Sequence, residues 1–365
     1  MPQTSFKPLK MGVIGFGYVG RVFHLPYIEA TEGLALHAIC SSREDDVRNA
    51  YPDVKIFNTA EALCADDALK VIVIASPNET HRPFAEMALR AGKHVVIDKP
   101  FTTNLPDAEA VLQTAREAGK HVIVFQNRRW DSDFLAISDV VRSGVLGPIR
   151  HVESAFDVFE PAISDNWRFA RGEGTGRWFD LAPHLVDQAL LLFGAPERVT
   201  ADIQCLRAEA GADDWFMVTL HYRQLNVVLR GSMLARFPAP RFVIHGTRGG
   251  AIKNGLDVQE AQLVRHISPS DDAFGVDPDL IRLRHEDGTM REMPAPRGCH
   301  RQFYALLVQT LNRKGPLFIT EDQMLAVMHI IETAARASRE GRSLKLALPE
   351  ATRRNLKAQS IYESI

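Results

Sequence analysis

Three residues of this chain have the types and spacing to hold an oxyanion and move a proton. Lys99 stands in Asp98-Lys99-Pro100, directly after an apolar run. An ammonium placed there can donate to a substrate hydroxyl and favour its alkoxide form. Asp180 and His184 are four positions apart, so on a helix their side chains share one face. A histidine beside a carboxylate can take or give a proton near neutral pH. Each also has an ordinary explanation. A lysine before proline is usually a surface residue, and an Asp/His pair at helical spacing is more often a surface pair.

A second pattern binds rather than reacts. Val13-Ile14-Gly15-Phe16-Gly17-Tyr18-Val19-Gly20 runs from an apolar strand through G-x-G-x-x-G into a helical pattern. In a dinucleotide fold the first glycine makes the tight turn, the second lets the pyrophosphate approach the backbone, and the third lets helix pack on strand. The phosphates then sit on the helix N-terminus, where free N–H groups and the dipole favour negative charge. At the end of the second strand, where an NAD enzyme carries Asp or Glu to grip the ribose, the chain reads Ser41-Ser42-Arg43. Two hydroxyls and a guanidinium suit a 2′-phosphate. The competing explanation is a helix start, since Ser-Ser-Arg-Glu-Asp also fits an N-cap, and Glu44 and Asp45 weaken the charge argument.

The elements that must position these residues alternate in the first third. Apolar runs predict strands at 11–14, 36–40, 54–57, 71–75, 94–97 and 121–125, with helical patterns at 19–30, 81–91 and 105–118. Short apolar strands separated by helices predict a parallel, doubly wound sheet in an α/β domain over residues 1–126. Ligands in such sheets bind outside the carboxyl ends of the strands. That rule gathers Ser76-Pro77-Asn78-Glu79-Thr80-His81, Lys99-Pro100 and Asn127 in one crevice with Gly15–Gly20. Beyond residue 126 the rhythm changes. A helix is predicted at 132–143, a strand at 149–159, a loop containing Gly172, Gly174 and Gly176, and a helix at 179–192. Strands follow at 198–206, 215–222, 226–234 and 241–245, a long polar loop at 260–298, and helices at 301–312 and 321–338. This predicts an α+β domain over 127–365 with a mostly antiparallel, open-faced sheet. An uncovered sheet face is expected to be apolar and to favour a homodimer or homotetramer.

Composition excludes other classes. Of 365 residues, 45% are hydrophobic and 24% charged, so the chain is globular, and the net charge of −2 builds no basic field for nucleic acid. No apolar run reaches membrane length, and the polar start from Met1 to Lys10 lacks an export core, so the cytoplasm is the expected location. Cys40, Cys64, Cys205 and Cys299 are scattered, with no zinc spacing, so no metal is expected.

Together these motifs resemble the glucose–fructose oxidoreductase / inositol dehydrogenase (Gfo/Idh/MocA) family over nearly the whole length. The likeness rests on Gly15–Gly20, Pro77-Asn78-Glu79-Thr80-His81, Lys99-Pro100, Trp167-Arg168 and Asp180-x-x-x-His184. Asp98 stands where the family usually has Glu. The resemblance implies Lys99, Asp180 and His184 as the catalytic set. It implies a cofactor surface of Gly15, Phe16, Gly17, Tyr18, Val19, Gly20, Ser41, Ser42, Arg43, Ser76, Pro77, Asn78, His81, Lys99, Pro100, Asn127, Trp167 and Arg168. Substrate would meet Lys99, Asn127, Arg168, Asp180 and His184. Asn127-Arg128-Arg129-Trp130-Asp131, with Trp167-Arg168, the stretch from Tyr18 to His24 and Ser41-Ser42-Arg43, is similar to the branch of NADP-dependent scyllo-inositol dehydrogenases. The expected activity is hydride transfer between NADP(H), with NAD(H) second, and a hydroxyl or ketone of a cyclitol or sugar. The alternatives are an aldose or 1,5-anhydrofructose-type reductase, a dihydrodiol dehydrogenase, and a non-catalytic dinucleotide-binding regulator. Regulators of this kind lack the Lys or the His.

Overall fold

The computed structural model describes residues 7–163, 172–207, 211–313 and 316–358. Six apolar runs form a parallel sheet: β1 (Leu9–Ile14), β2 (Leu34–Cys40), β3 (Lys55–Phe57), β4 (Val71–Ile74), β5 (His94–Ile97) and β6 (Val122–Val124). Their order is β3-β2-β1-β4-β5-β6, so the winding reverses between β1 and β4. β4 is fully buried, as a parallel strand covered on both faces must be. The intervening helices are α1 (Leu25–Ala30), α2 (Glu44–Ala50), α3 (Ala60–Cys64), α4 (His81–Arg90) and α5 (Leu105–Ala118).

The single helix predicted at 19–30 is divided. Gly20–His24 is a π-helical turn, and α1 begins at Leu25 with a proline in its first turn. Pro26 has no N–H to give the preceding turn, which is why a new helix starts there.

The second sheet has nine strands: β7 (Ile149–Asp157), β8 (Arg198–Gln204), β9 (Trp215–His221), β10 (Asn226–Ser232), β11 (Phe242–Gly246), β12 (Gly249–Lys253), β13 (Ile281–His285), β14 (Met290–Met293) and β15 (Leu344–Lys345). Their order is β14-β13-β12-β11-β7-β10-β9-β8-β15, antiparallel except for β7 beside β10. α6 (Ser132–Ser143), α7 (Gly176–Phe193) and α10 (Glu321–Glu340) bury its inner face, where Trp178 meets Phe216 edge-on at 5.0 Å. The expected apolar outer face is mixed instead. Thr200, Asp202, Thr219, His221 and Glu153 alternate with the buried set, interleaved with Met217 and Val228.

Two expectations change. The polar stretch 260–298 contains α8 (Gln259–Val264), β13 and β14. β14 is the edge strand; its Arg291, like Arg282 and Arg284 on β13 beside it, faces solvent, and a charged edge blocks further pairing. The division into 1–126 and 127–365 is also too simple. The first compact unit comprises the chain to Asn127 together with Gln259–Phe274 and His300–Glu321; the second takes Arg128–Val258, Gly275–Cys299 and the chain from Asp322. The chain returns because α9 (Arg301–Arg313) supplies first-unit core. Tyr304 OH lies 2.7 Å from His24 Nδ1, and His300 Nδ1 lies 3.2 Å from Tyr27 OH, all buried.

Candidate active site

Five of the six strands of the first sheet deliver predicted residues at their carboxyl ends. After β1, Gly15 has φ +107°, and an added Cβ would stand 2.3 Å from Ala75 O; one on Gly20 would stand 2.5 Å from Gly15 O. Neither position accepts a side chain. A Cβ on Gly17 would meet nothing within 4 Å, so the chain itself does not demand that glycine. The requirement fits a group approaching from outside, as a pyrophosphate would. Tyr18 is exposed, and its hydroxyl donates to Glu260 Oε1 at 3.1 Å.

After β2, Ser41 Oγ accepts the Arg43 N–H at 3.0 Å, while Arg43 itself stands at the N-cap of α2. The serines therefore shape the turn but do not cap the helix. The Arg43 guanidinium donates to Phe16 O, and it lies 6.0 Å from the Phe16 ring centroid. The glycine loop and the Ser41–Arg43 turn are thus in contact. Glu44 is engaged by Arg48, one turn along α2.

After β4, Thr80 Oγ1 donates to Pro77 O at 2.6 Å, which leaves Ser76 Oγ as donor to Thr80 Oγ1, also at 2.6 Å. His81 is fully buried, with Nδ1 2.9 Å from Pro100 O and Nε2 3.1 Å from Ser76 O. Burial pushes this imidazole below its ordinary value against the opposing charge of Asp98. His81, counted from sequence among the cofactor-binding residues, is buried between the Ser76 turn and Pro100.

Lys99 follows β5, half-buried, and its peptide bond to Pro100 is cis. Asp98 is buried behind it, 3.6 Å from His24 Nε2. Burial pulls the Asp98 carboxyl upward. The facing His24 imidazole and the Lys99 charge outweigh that pull and hold it below the usual carboxylate range. After β6, Asn127 is buried, with Nδ2 3.3 Å from His300 Nδ1. His300 and Tyr304 were not singled out from sequence. They lie 173 to 280 positions from Asn127, Tyr27 and His24, and no local pattern reports such pairs.

In the second unit α7 carries Asp180 and His184, and both lie within one continuous helix despite Pro183. Asp180 keeps a partly exposed side chain, 3.4 Å from Arg177 Nη1, and His184 is buried. α7 is held further along by Arg129, whose guanidinium donates to both Asp187 oxygens at 2.8 and 2.6 Å. Trp167 and Arg168 lie outside the described residues.

Comparisons with known proteins follow this division of the chain. Residues 9–126 match the family model "Oxidoreductase family, NAD-binding Rossmann fold", and residues 134–252 match "GFO/IDH/MocA C-terminal domain". The chain is 40% identical to an uncharacterized oxidoreductase, YdgJ, of Escherichia coli, over 93% of this chain and 99% of that one. It is 32% identical to the scyllo-inositol 2-dehydrogenase (NADP(+)) IolW of Bacillus subtilis, over 93% and 96%. A solved structure from Klebsiella pneumoniae superposes with a TM-score of 0.91 at 38% identity, covering 97% of this chain and all of that one.

Proposed function

The chain belongs to the Gfo/Idh/MocA oxidoreductase family, and we propose that it is an NADP(H)-dependent dehydrogenase of a cyclitol or sugar. The observation that carries this reading is the alignment at the carboxyl ends of one parallel sheet. The glycine loop follows β1, Arg43 follows β2 and reaches the loop backbone, and Lys99 follows β5. The dinucleotide, when bound, accepts or supplies the hydride. Gly15–Gly20 would hold its pyrophosphate, and Ser41, Ser42 and Arg43 its 2′-phosphate.

This chain's residues do the remainder. In the oxidative direction His184 takes the proton of a secondary hydroxyl, and Lys99 donates to the reacting oxygen and stabilises its charge. Asp180 orients His184 or binds a neighbouring hydroxyl. Buried polar groups matched to hydroxyls discriminate strongly against analogues that lack them. Similarity to IolW favours an inositol-like ring among the polyols. Assembly as a homodimer or homotetramer, and a cytoplasmic location, belong to the same reading. No helix among the described residues is long and apolar enough to cross a membrane.

The test is a screen of cyclitols, sugars and simple alcohols with NADP⁺ and NAD⁺, followed at 340 nm as nicotinamide is reduced. Turnover of scyllo-inositol or a related polyol is expected, with little on 2-propanol; the reverse result sinks the proposal. Lys99→Met and His184→Ala should each lower kcat about 10²-fold or more, the scale of one oxyanion or proton-transfer contact. Cofactor binding should survive in His184→Ala.

A further inference from the structure

α7 begins without a cap from its own chain segment. Thr175 stands at its N-cap position, but the Thr175 hydroxyl donates to Gly172 O at 2.8 Å and makes no bond to the first turn. The opening turn of a helix leaves N–H groups that the helix cannot satisfy. Asp213, 35 positions beyond Trp178, takes two of them. Its Oδ2 accepts the Trp178 N–H at 2.6 Å, and its carbonyl accepts the Arg177 N–H at 2.8 Å. Gly176 is built around this carboxylate. Its φ is +91°, and a Cβ there would stand 2.0 Å from Asp213 Oδ1.

The neighbouring charges are engaged elsewhere. Arg177 Nη1 points to Asp180 Oδ2 at 3.4 Å, and Asp214 is bonded by Arg207 Nε at 2.8 Å. A carboxylate here also faces the positive end of the helix dipole. Pro183 makes the arrangement matter more. It has no N–H to return to Phe179 O, so the ladder between the first turn and His184 is short of one bond. Phe179 is the first α7 residue whose N–H lies within reach of an intrahelical acceptor, the carbonyl of the Thr175 cap. Asp180 and His184 therefore fall between two anchorages, Asp213 at the start and Arg129 on Asp187 further along.

We propose that Asp213 is a positioning residue that fixes the first turn of α7 and, through it, the setting of Asp180 and His184. This rests on the reading of those two residues given above. The experiment compares full-length wild type, Asp213→Ala and Asp213→Asn. It follows amide exchange in the peptide holding residues 176–179, the His184 imidazole resonance (assigned by loss in His184→Ala), NADPH binding by fluorescence, and polyol turnover. Asp213→Ala should speed exchange of the Arg177 and Trp178 amides about tenfold, the scale of a lost N-cap. It should also shift the His184 resonance and lower kcat about tenfold while leaving NADPH affinity unchanged. Asp213→Asn, whose side-chain oxygen still accepts from an amide, should restore all three. If Asp213→Ala does not fold, Asp213→Glu, which overreaches by one methylene, is judged by the same readouts. Unchanged exchange in the variant overturns the cap. Faster exchange with His184 and kcat unmoved reduces Asp213 to a stability residue and equally overturns the proposal. Exchange and resonance need no substrate, so a wild type that turns over no polyol defeats the functional reading and still leaves Asp213 judged.

Discussion

At the scale of single residues, the cofactor reading turns on one guanidinium and one missing acid. Ser41 stands where a carboxylate would repel a 2′-phosphate. Its hydroxyl is spent on the Arg43 amide, so it shapes the turn more than it offers a ligand. Arg43 is the stronger element, because it lies on the Phe16 carbonyl and therefore at the glycine loop. The acid one residue on is held by Arg48 along α2. One charge-assisted contact is worth roughly 1.5–3 kcal/mol, so Arg43→Ala should raise KM for NADP⁺ about 10- to 150-fold and KM for NAD⁺ far less. Ser41→Asp should tilt the preference to NAD⁺, since it adds a repulsive charge and a ribose acceptor together. Steady-state kinetics of the two variants with both cofactors checks this. Equal effects of Arg43→Ala on the two would refute it.

At the scale of elements, the glycine fingerprint separates what the fold demands from what a ligand demands. Gly15 and Gly20 face backbone oxygens within 2.5 Å of an added Cβ, whereas Gly17 faces open space. Gly15→Ala should therefore lower the midpoint of thermal unfolding by several degrees, since neither the positive φ nor the Ala75 carbonyl can yield cheaply. Gly17→Ala should leave that midpoint nearly unchanged and weaken dinucleotide binding about tenfold or more. Thermal melts beside fluorescence titration decide it, and equal stability losses in both variants would remove the distinction. This loop was legible in the sequence because strand, turn and helix are contiguous. The parallel order of the first sheet followed from the same alternation. Local patterns do not report distant partners, so the return of Gln259–Phe274 and His300–Glu321 to the first unit was hidden. So were His24 against Tyr304 and Asp213 against Trp178. β13 alternates apolar and charged residues clearly, but five residues inside a polar stretch are too few to outweigh it.

At the scale of the whole chain, the second unit is tied together by charges brought from segments more than a hundred positions apart. Asp133 on α6 lies 3.4 Å from Arg241 Nε at the start of β11, and its Oδ2 accepts the Asp257 N–H at 3.1 Å. Asp257 in turn accepts the Ser132 N–H at 2.8 Å, and Asp277 bonds both Ser132 Oγ at 2.7 Å and Lys253 Nζ at 2.9 Å. Asp133 and Arg241 are almost fully buried, and burying charge is costly even when it is paired. Burial pushes the Asp133 carboxyl up to about 7; Arg241 opposes the shift, and the nearby Asp131 and Asp257 reinforce it. An acid raised in the folded state binds more protons there than in the unfolded chain, where its value is near 4. Its contribution is therefore most favourable at acid pH, declines as pH rises from about 4 to about 7, and is flat above that. Asp133→Asn keeps the shape and removes the titration. The unfolding midpoint of wild type minus that of the variant should fall steadily across this window and level off beyond it. An Asp133 held ionised by Arg241 in the folded state would give the opposite slope, the difference growing as pH rises from about 2 to 4. Melts of the two proteins in matched buffers from pH 4 to 8 distinguish the two, because groups remote from Asp133 are common to both and cancel in the difference.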